Sequence, residues 1–328
     1  MKKTMILTLV LVFALSVGFL ESSMAQKYPA KAVKIVTTHG PGSGVDICTR
    51  ILAPYLQKEL GQPVVIENMQ GGGGRIARTK VFKEKPDGYT LLSTNFPSAQ
   101  LGEVLYKGDY KSSEFTQIYG FLGGDNYYIA FVDKKSKFKD YKSLLEASKT
   151  KKIKVAIPGM GAGAHLIAAV LRTKTGLVAD IIPYDPEQII LAVLSGDVDM
   201  ACENGYDYAA ENGQRIQVIL QASDGKRSVV YPDVPTTAEL GFPGLELAST
   251  TNIVGPPGVP ADVVKILVDA LNKATNNPEF LAAYKKAGLV AAHQGPQEVK
   301  MFNDTMMRFS NEIAPIMKKD METLGSKK

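Results

Sequence analysis

Three glycine-rich stretches are the residues in this chain whose spacing best suits chemistry: Thr38-His39-Gly40-Pro41-Gly42-Ser43-Gly44-Val45-Asp46, Gly71-Gly72-Gly73-Gly74, and Pro158-Gly159-Met160-Gly161-Ala162-Gly163-Ala164-His165. Each follows an apolar, β-branched run and precedes a segment of helical periodicity. Glycine there allows the backbone to turn and lets a ligand approach without meeting a Cβ, while the free amides of the first helical turn face whatever is bound. Such a terminus favours an anion. One loop alone could serve tight packing; loops of this kind in both halves of the chain point to a site at the carboxyl ends of parallel strands.

Other chemistries fit less well. Gly40-x-Gly42-x-Gly44 has Val45 where a dinucleotide fingerprint needs a small residue, and although Gly159-x-Gly161-x-Gly163-Ala164 passes a loose version, an exported protein is not expected to carry nicotinamide. No Gly-Lys-Ser/Thr follows these glycines. Ser43 lacks the flanking glycines of a hydrolase elbow, and spacing suggests no catalytic triad. His39, His165 and His293 show no metal-ligand spacing with Cys48 or Cys202, which read as two buried thiols. No cofactor and no metal is called for.

The N-terminus has Lys2 and Lys3, an apolar run from Ile6 to Leu20, and small residues at Ser23-Met24-Ala25. That is the pattern of a cleaved signal peptide over residues 1–25, since the run falls short of the ~20 residues a bilayer core needs. A mature chain starting near Gln26 is then periplasmic and not membrane-embedded, and it is long enough for two domains. The net charge of +5 includes both leader lysines, and the remaining lysines are scattered, which argues against nucleic acid as a partner.

Strands are expected at 32–38, 63–67, 89–93, 127–132, 154–157, 180–184, 198–202, 217–220 and 251–254, with helices between them. This order implies βαβ units and mainly parallel sheets covered by helices. A helix over 45–60 should end at Gly61, with Pro54 kinking it or delaying its regular start. Val263, Ile266, Leu267, Ala270 and Leu271 fall on one helical face; so do Val299, Phe302, Met306, Phe309, Ile313 and Met317, which read as core.

Several motifs carry a resemblance: Tyr28-Pro29, Gly61-Gln62-Pro63-Val64-Val65 with Asn68, Pro86-Asp87-Gly88-Tyr89-Thr90-Leu91-Leu92, Gly159-x-Gly161 with His165-Leu166, and Pro183-Tyr184. Ser195-Gly196-Asp197-Val198-Asp199-Met200, Lys226-Arg227, Pro232-Asp233-Val234-Pro235-Thr236 and Glu239-Leu240-Gly241 complete the set. In this order they resemble the Bug-type extracytoplasmic receptors of tripartite tricarboxylate transporters, from about Lys27 to the last helix. The resemblance implies an α/β, two-lobed periplasmic-binding-protein-like fold of type II-like form, each lobe a mainly parallel sheet flanked by helices. Residues 27–126 and 247–328 would form the first lobe and residues 127–246 the second. It further implies a monomer that captures a small carboxylate without chemistry and passes it to the transporter's membrane subunits. The alternatives are a sensor that presents the ligand to a membrane histidine kinase, and a secreted hydrolase.

By the same resemblance the carboxylate is held by amides, hydroxyls and waters, from Gly42, Ser43, Gly44, Gly73 and Gly74 on one lobe and Gly161, Ala162, Gly163 and Ala164 on the other. Ser93, Thr94 and Asn204 are added as matched strand ends. Two departures bear on the ligand: His39 stands where an aromatic is common, and Arg75 stands at a helix start, where it either pairs with a second carboxylate or points into solvent. His165 is read as capping its own helix; Tyr184 and Asp46 are left between cleft and support.

Overall fold

A computed structural model describes residues 28–123 and 125–325. The expected leader lies outside the described residues. Among the described residues eleven strands form two sheets. The first contains β1 (Val33–Thr37), β2 (Val64–Asn68), β3 (Thr90–Phe96), β4 (Thr116–Leu122), β10 (Thr250–Gly255) and β11 (Ala291–Gln294), in the order β11-β4-β10-β3-β1-β2. The second contains β5 (Tyr128–Asp133), β6 (Ile153–Ile157), β7 (Ala179–Pro183), β8 (Met200–Asn204) and β9 (Ile216–Gln221), in the order β7-β6-β8-β5-β9. Helices α1 (Gly44–Leu60), α2 (Arg75–Phe82), α3 (Ser98–Tyr106), α4 (Tyr141–Ser148), α5 (Gly163–Thr175), α6 (Ile189–Ser195), α7 (Ala261–Thr275), α8 (Pro278–Lys286) and α9 (Pro296–Gly325) cover them.

The β1–β2, β1–β3, β6–β7 and β6–β8 ladders are parallel. Both sheets are nevertheless mixed, because β10 runs antiparallel to β3 and β4, and β5 antiparallel to β8 and β9. The reason is topological. Chain leaving β4 enters the second sheet from the side where the parallel strands end, so β5 must run against them; β10 enters the first sheet in the same way. The two connections lie side by side: Ser249 N–H donates to Asn126 O at 2.8 Å and Tyr128 N–H to Leu247 O at 2.9 Å, around a bridge between Tyr127 and Ala248.

Local chemistry sets the helices. Ser43 caps α1 by accepting from Asp46 N–H, and Gly61 ends it in the left-handed region, at φ 67°. Such a cap is worth about 1 kcal/mol. Pro54 lies inside α1 with its ring exposed; it removes one hydrogen bond without ending the helix. In α7 Val263, Leu267, Ala270 and Leu271 are buried and Ile266 packs at the edge; in α9 Val299, Met306, Phe309, Ile313 and Met317 are buried and Phe302 packs beside them.

The last helix ties the two halves together. Its apolar stripe joins a core that includes Leu92 and Phe96 of the first sheet and Ile157, Leu166 and Val170 of the second half. Farther along, Asp320 takes hydrogen bonds from Arg172 at 2.8 Å and meets His165 Nε2 at 3.2 Å, and Glu312 pairs with Lys174, all three partners lying on α5. No described helix is long and apolar enough to cross a membrane.

Candidate functional site

The carboxyl ends of β1, β2 and β3 face those of β6 and β8 across a cleft, which holds two chambers that share His39. The first, about 250 Å3, is lined from one side by Ser43, Gly44 and Val45 at the start of α1, by Asn95 of β3 and Thr251 of β10. Asn126 and Ser249 from the two connections, with Asn204 at the end of β8 and Tyr206 after it, close it. The second, about 350 Å3, lies between Gly72, Gly73 and Arg75 on one lobe and Met160, Gly161 and Ala162 on the other, with Ser98, Gly102 and Tyr106 at its sides. Together they fall in the size range of small-ligand pockets, roughly 300–1,000 Å3.

Backbone conformation explains the four-glycine run. Gly72, Gly73 and Gly74 have φ of 56°, 64° and 84°, a left-handed turn that other residues rarely adopt. It delivers the chain into α2, which starts without a side-chain cap, as does α5 at Ala162. Part of the amide supply is already used: Gly74 N–H donates to Gly71 O at 3.0 Å, Arg75 N–H to Gly72 O, and Gly161 N–H to His165 Nδ1, so the donors left for a ligand are the amides that follow. At α1 Ser43 Oγ likewise accepts from Asp46 N–H, and the Asp46 carboxylate accepts from Gly42 N–H at 2.9 Å.

That carboxylate also receives Arg50 Nε at 2.8 Å and Asn68 Nδ2 at 2.7 Å. Burial opposes its ionisation, but these hydrogen bonds and the Arg50 charge bring its pKa below the usual value. Asp46 is therefore a support of the first loop. His165 is likewise occupied: Gly161 N–H donates to its Nδ1 at 3.1 Å while Nε2 faces Asp320, so it caps its own loop. Tyr184 packs among the apolar residues of the second half, outside both chambers.

Seven of the residues expected from the sequence line the chambers: Ser43, Gly44, Gly73, Arg75, Gly161, Ala162 and Asn204. The others lie beside or behind the lining. Gly42 is exposed on the outer turn. Ser93 is fully buried against Thr49, at 2.7 Å, and Thr94 is buried accepting from Arg78 Nε at 2.9 Å, so Asn95 takes the place in the lining expected for them. Gly74 lies over the Arg78 guanidinium, and Gly163 under the Tyr128 hydroxyl, with Ala164 buried next to it.

Sequence reasoning did not find Asn95, Asn126, Tyr206, Ser249, Thr251 or Tyr106. Asn126 and Ser249 sit on the connections, and Tyr106 reaches the cleft from the end of α3, where its hydroxyl donates to Met160 O at 3.3 Å across the mouth. Arg75 stacks over the Tyr106 ring, 4.3 Å from its centroid. Tyr206 is held by Asp125, which accepts its hydroxyl proton; burial, then this carboxylate, push its pKa up. The side-chain amide of Asn204 has a buried oxygen without a hydrogen-bond partner, a polar end that a ligand can satisfy.

Among the described residues, neither chamber is lined by an acidic side chain. His39 contacts Thr38 Oγ1 through Nδ1 at 2.9 Å, and burial together with the Arg78 charge holds its pKa below the ordinary value. The cleft thus offers amides, hydroxyls, a neutral imidazole and one guanidinium, a set that fits an anion. A larger concavity of about 750 Å3 opens outside it, on the far side of Arg75 and Tyr106. Lys80, Lys83 and Lys107 there are mixed with Glu84 and Asp109, so the acid-free cleft is the better anion site.

The chain matches the family model described as the tripartite tricarboxylate transporter family receptor (TctC) over residues 48–318. It is 27% identical to protein BugT of Bordetella pertussis over 322 residues, 95% of this chain and 98% of the relative. A TctC solute-binding protein from Polaromonas has the same fold, with a TM-score of 0.78 at 20% identity, over 89% of this chain and 99% of that one. MatC of Rhodopseudomonas palustris, solved with bound malate, superposes with a TM-score of 0.70 at 23% identity, over 88% and 100%. With two lobes of this topology and a family match over most of its length, the chain belongs to the tripartite tricarboxylate transporter receptors.

Proposed function

We propose that the protein is a periplasmic receptor that takes up a small carboxylate between its lobes and delivers it to the membrane subunits of a tripartite tricarboxylate transporter. The observation that carries this reading is a cleft without an acidic side chain among the described lining residues, into which the starts of α2 and α5 open from opposite lobes without a side-chain cap. Three or four charge-assisted hydrogen bonds, each roughly 1.5–3 kcal/mol before costs, suffice for micromolar binding near about −8 kcal/mol. The malate seen in MatC makes a C4 dicarboxylate a natural first ligand to test.

In this reading the described parts of residues 27–126 and 247–328 form one lobe and those of residues 127–246 the other, hinged at the paired connections around Asn126 and Leu247, with the end of α9 packed on α5 of the second lobe. Closure brings Met160, Gly161 and Ala162 onto an anion already seated over Gly72 and Gly73. The transporter recognises the closed form. Export is by the leader at residues 1–25.

The test is a thermal-shift panel of malate, succinate, adipate, citrate, aromatic carboxylates and amino acids, followed by mass spectrometry of the hit. A receptor is stabilised by about 2.7 kcal/mol at a ligand concentration one hundred times Kd and leaves the ligand intact. If no carboxylate raises the melting temperature, or if the hit is consumed, the reading fails.

A further inference from the structure

Arg78, in the first turns of α2, is fully buried. A buried cation costs several kcal/mol of lost hydration and is ordinarily offset by a carboxylate. Here every hydrogen-bond partner found for it is neutral: Thr94 Oγ1 takes Nε at 2.9 Å, the carbonyls of Gly73 and Ser98 take Nη1 at 2.9 and 3.3 Å, Asn95 Oδ1 takes Nη2 at 3.4 Å, and the Tyr110 hydroxyl lies against it as well. Among the described residues it forms no ion pair. The charged residue that acts on it is another cation, Arg75. The carboxylate of Glu103 is taken by Lys111 and Ser112.

Its place in the fold gives the unbalanced charge a direction. Gly73, Ser98 and Asn95, three of its five hydrogen-bonding partners, line the two chambers. A Cβ on Gly74 would stand 3.1 Å from the Arg78 Cζ and 2.9 Å from Thr38 Cβ, so only glycine lets the guanidinium lie flat beneath the turn. The charge is therefore one backbone layer below the cleft floor. No acid among the described residues satisfies it, and the cleft is the space it faces.

We propose that Arg78 is a specificity-determining residue that acts without touching the ligand: its uncompensated charge beneath the Gly72–Gly73 turn requires a full carboxylate on the ligand end seated there. This rests on the carboxylate reading above and adds to it. Amide donors alone also hold an uncharged carbonyl oxygen, whereas a fixed cation separates a carboxylate from its neutral isosteres. The ligand supplies the counter-ion that the fold omits.

The experiment measures calorimetric affinities for malate, succinate and adipate in the mature protein and in Arg78→Gln, Arg78→Met and Arg78→Lys. A unit charge at such short range in a protein interior is worth roughly ten- to fiftyfold in binding, so the two neutral variants lose that much affinity for the dicarboxylate the wild type binds best. Arg78→Lys keeps the charge but not the planar fork, and stays within about threefold of wild type. A purely structural Arg78 gives the opposite pattern, with lysine as damaging as glutamine. That pattern, or neutral variants that bind as tightly as wild type, overturns the inference and leaves the carboxylate reading standing. If neither neutral variant folds, Arg78→Lys decides alone, because loss of more than tenfold in it refutes a charge role. Absence of any carboxylate binding in the wild type is the separate outcome that removes both readings.

Discussion

Replacing Gly161 by alanine separates what the cleft needs for folding from what it needs for closure. The residue sits at φ +78°, and a Cβ placed there would overlap the Tyr106 hydroxyl oxygen and lie 3.0 Å from its Cζ and 3.1 Å from its Cε2. Tyr106 belongs to the opposite lobe and reaches over to donate to Met160 O. Two costs follow. The left-handed backbone strains alanine by about 1 kcal/mol in any arrangement of the lobes, which lowers the melting temperature by a few degrees. The overlap exists only when the lobes meet, and relief requires the ring to withdraw by about 1 Å, an overpacking cost of roughly 1–3 kcal/mol. That second cost falls on closure, so ligand affinity drops by about 5- to 150-fold at a tenfold change per 1.4 kcal/mol. Denaturation melts and titration calorimetry on Gly161→Ala, Tyr106→Ala and the double variant measure the two effects separately. In the double variant the ring is gone, and its affinity should equal that of Tyr106→Ala alone. Strict additivity of the two losses, or wild-type affinity in Gly161→Ala, would refute the steric reasoning.

Three further outcomes are expected. Burial opposes ionisation of Asp320, yet hydrogen bonds from His165 and Arg172 bring its pKa below the usual value; the stability it contributes is complete above the unfolded carboxyl pKa near about 4 and is lost as pH falls through the folded value. Acid titration of Asp320→Asn by circular dichroism should lack that loss, and an identical acid limb in variant and wild type would contradict the assignment. Burial and the Arg78 charge lower the His39 pKa in the empty cleft; an anion offsets that charge and raises it again, so binding takes up a fraction of a proton and strengthens as pH falls from about 7 toward 6. Calorimetry in two buffers of different ionisation enthalpy reads the uptake, and proton release would count against it. Cys48 and Cys202 are both buried, the first pushed up to about 12 and the second also raised, by burial in each case; a thiol reagent should find neither in the native protein and both after unfolding.

Local rules made much of the fold legible. The segments expected as strands correspond to β1, β2, β3 and β5–β10, with ends displaced by a residue or a few, because β-branched runs between turn residues need little context. The faces of α7 and α9 followed from spacing alone. β4 and β11 were missed. β4, Thr-Gln-Ile-Tyr-Gly-Phe-Leu, is interrupted by Gly120, and β11 is a four-residue edge strand, so each exists through its pairing with a neighbour rather than its own propensity.

The sequence by itself determined where helix starts and glycine turns would gather, and hence that a cleft between strand ends is where they meet, because turn geometry and amide supply are properties of a few consecutive residues. Arg78 was within its reach as well: it shares the inward face of α2 with Ala77 and Val81, where an arginine is out of place. Only the tertiary structure decided which groups close the cleft. Asn126 and Ser249 meet because two distant connections pair, Tyr106 crosses to Met160 because the lobes face one another, and Thr94 is drawn beneath the floor because a buried guanidinium needs its oxygen. These are contacts between residues far apart in the chain, fixed by packing and by the need to satisfy buried polar groups, and no local pattern encodes them.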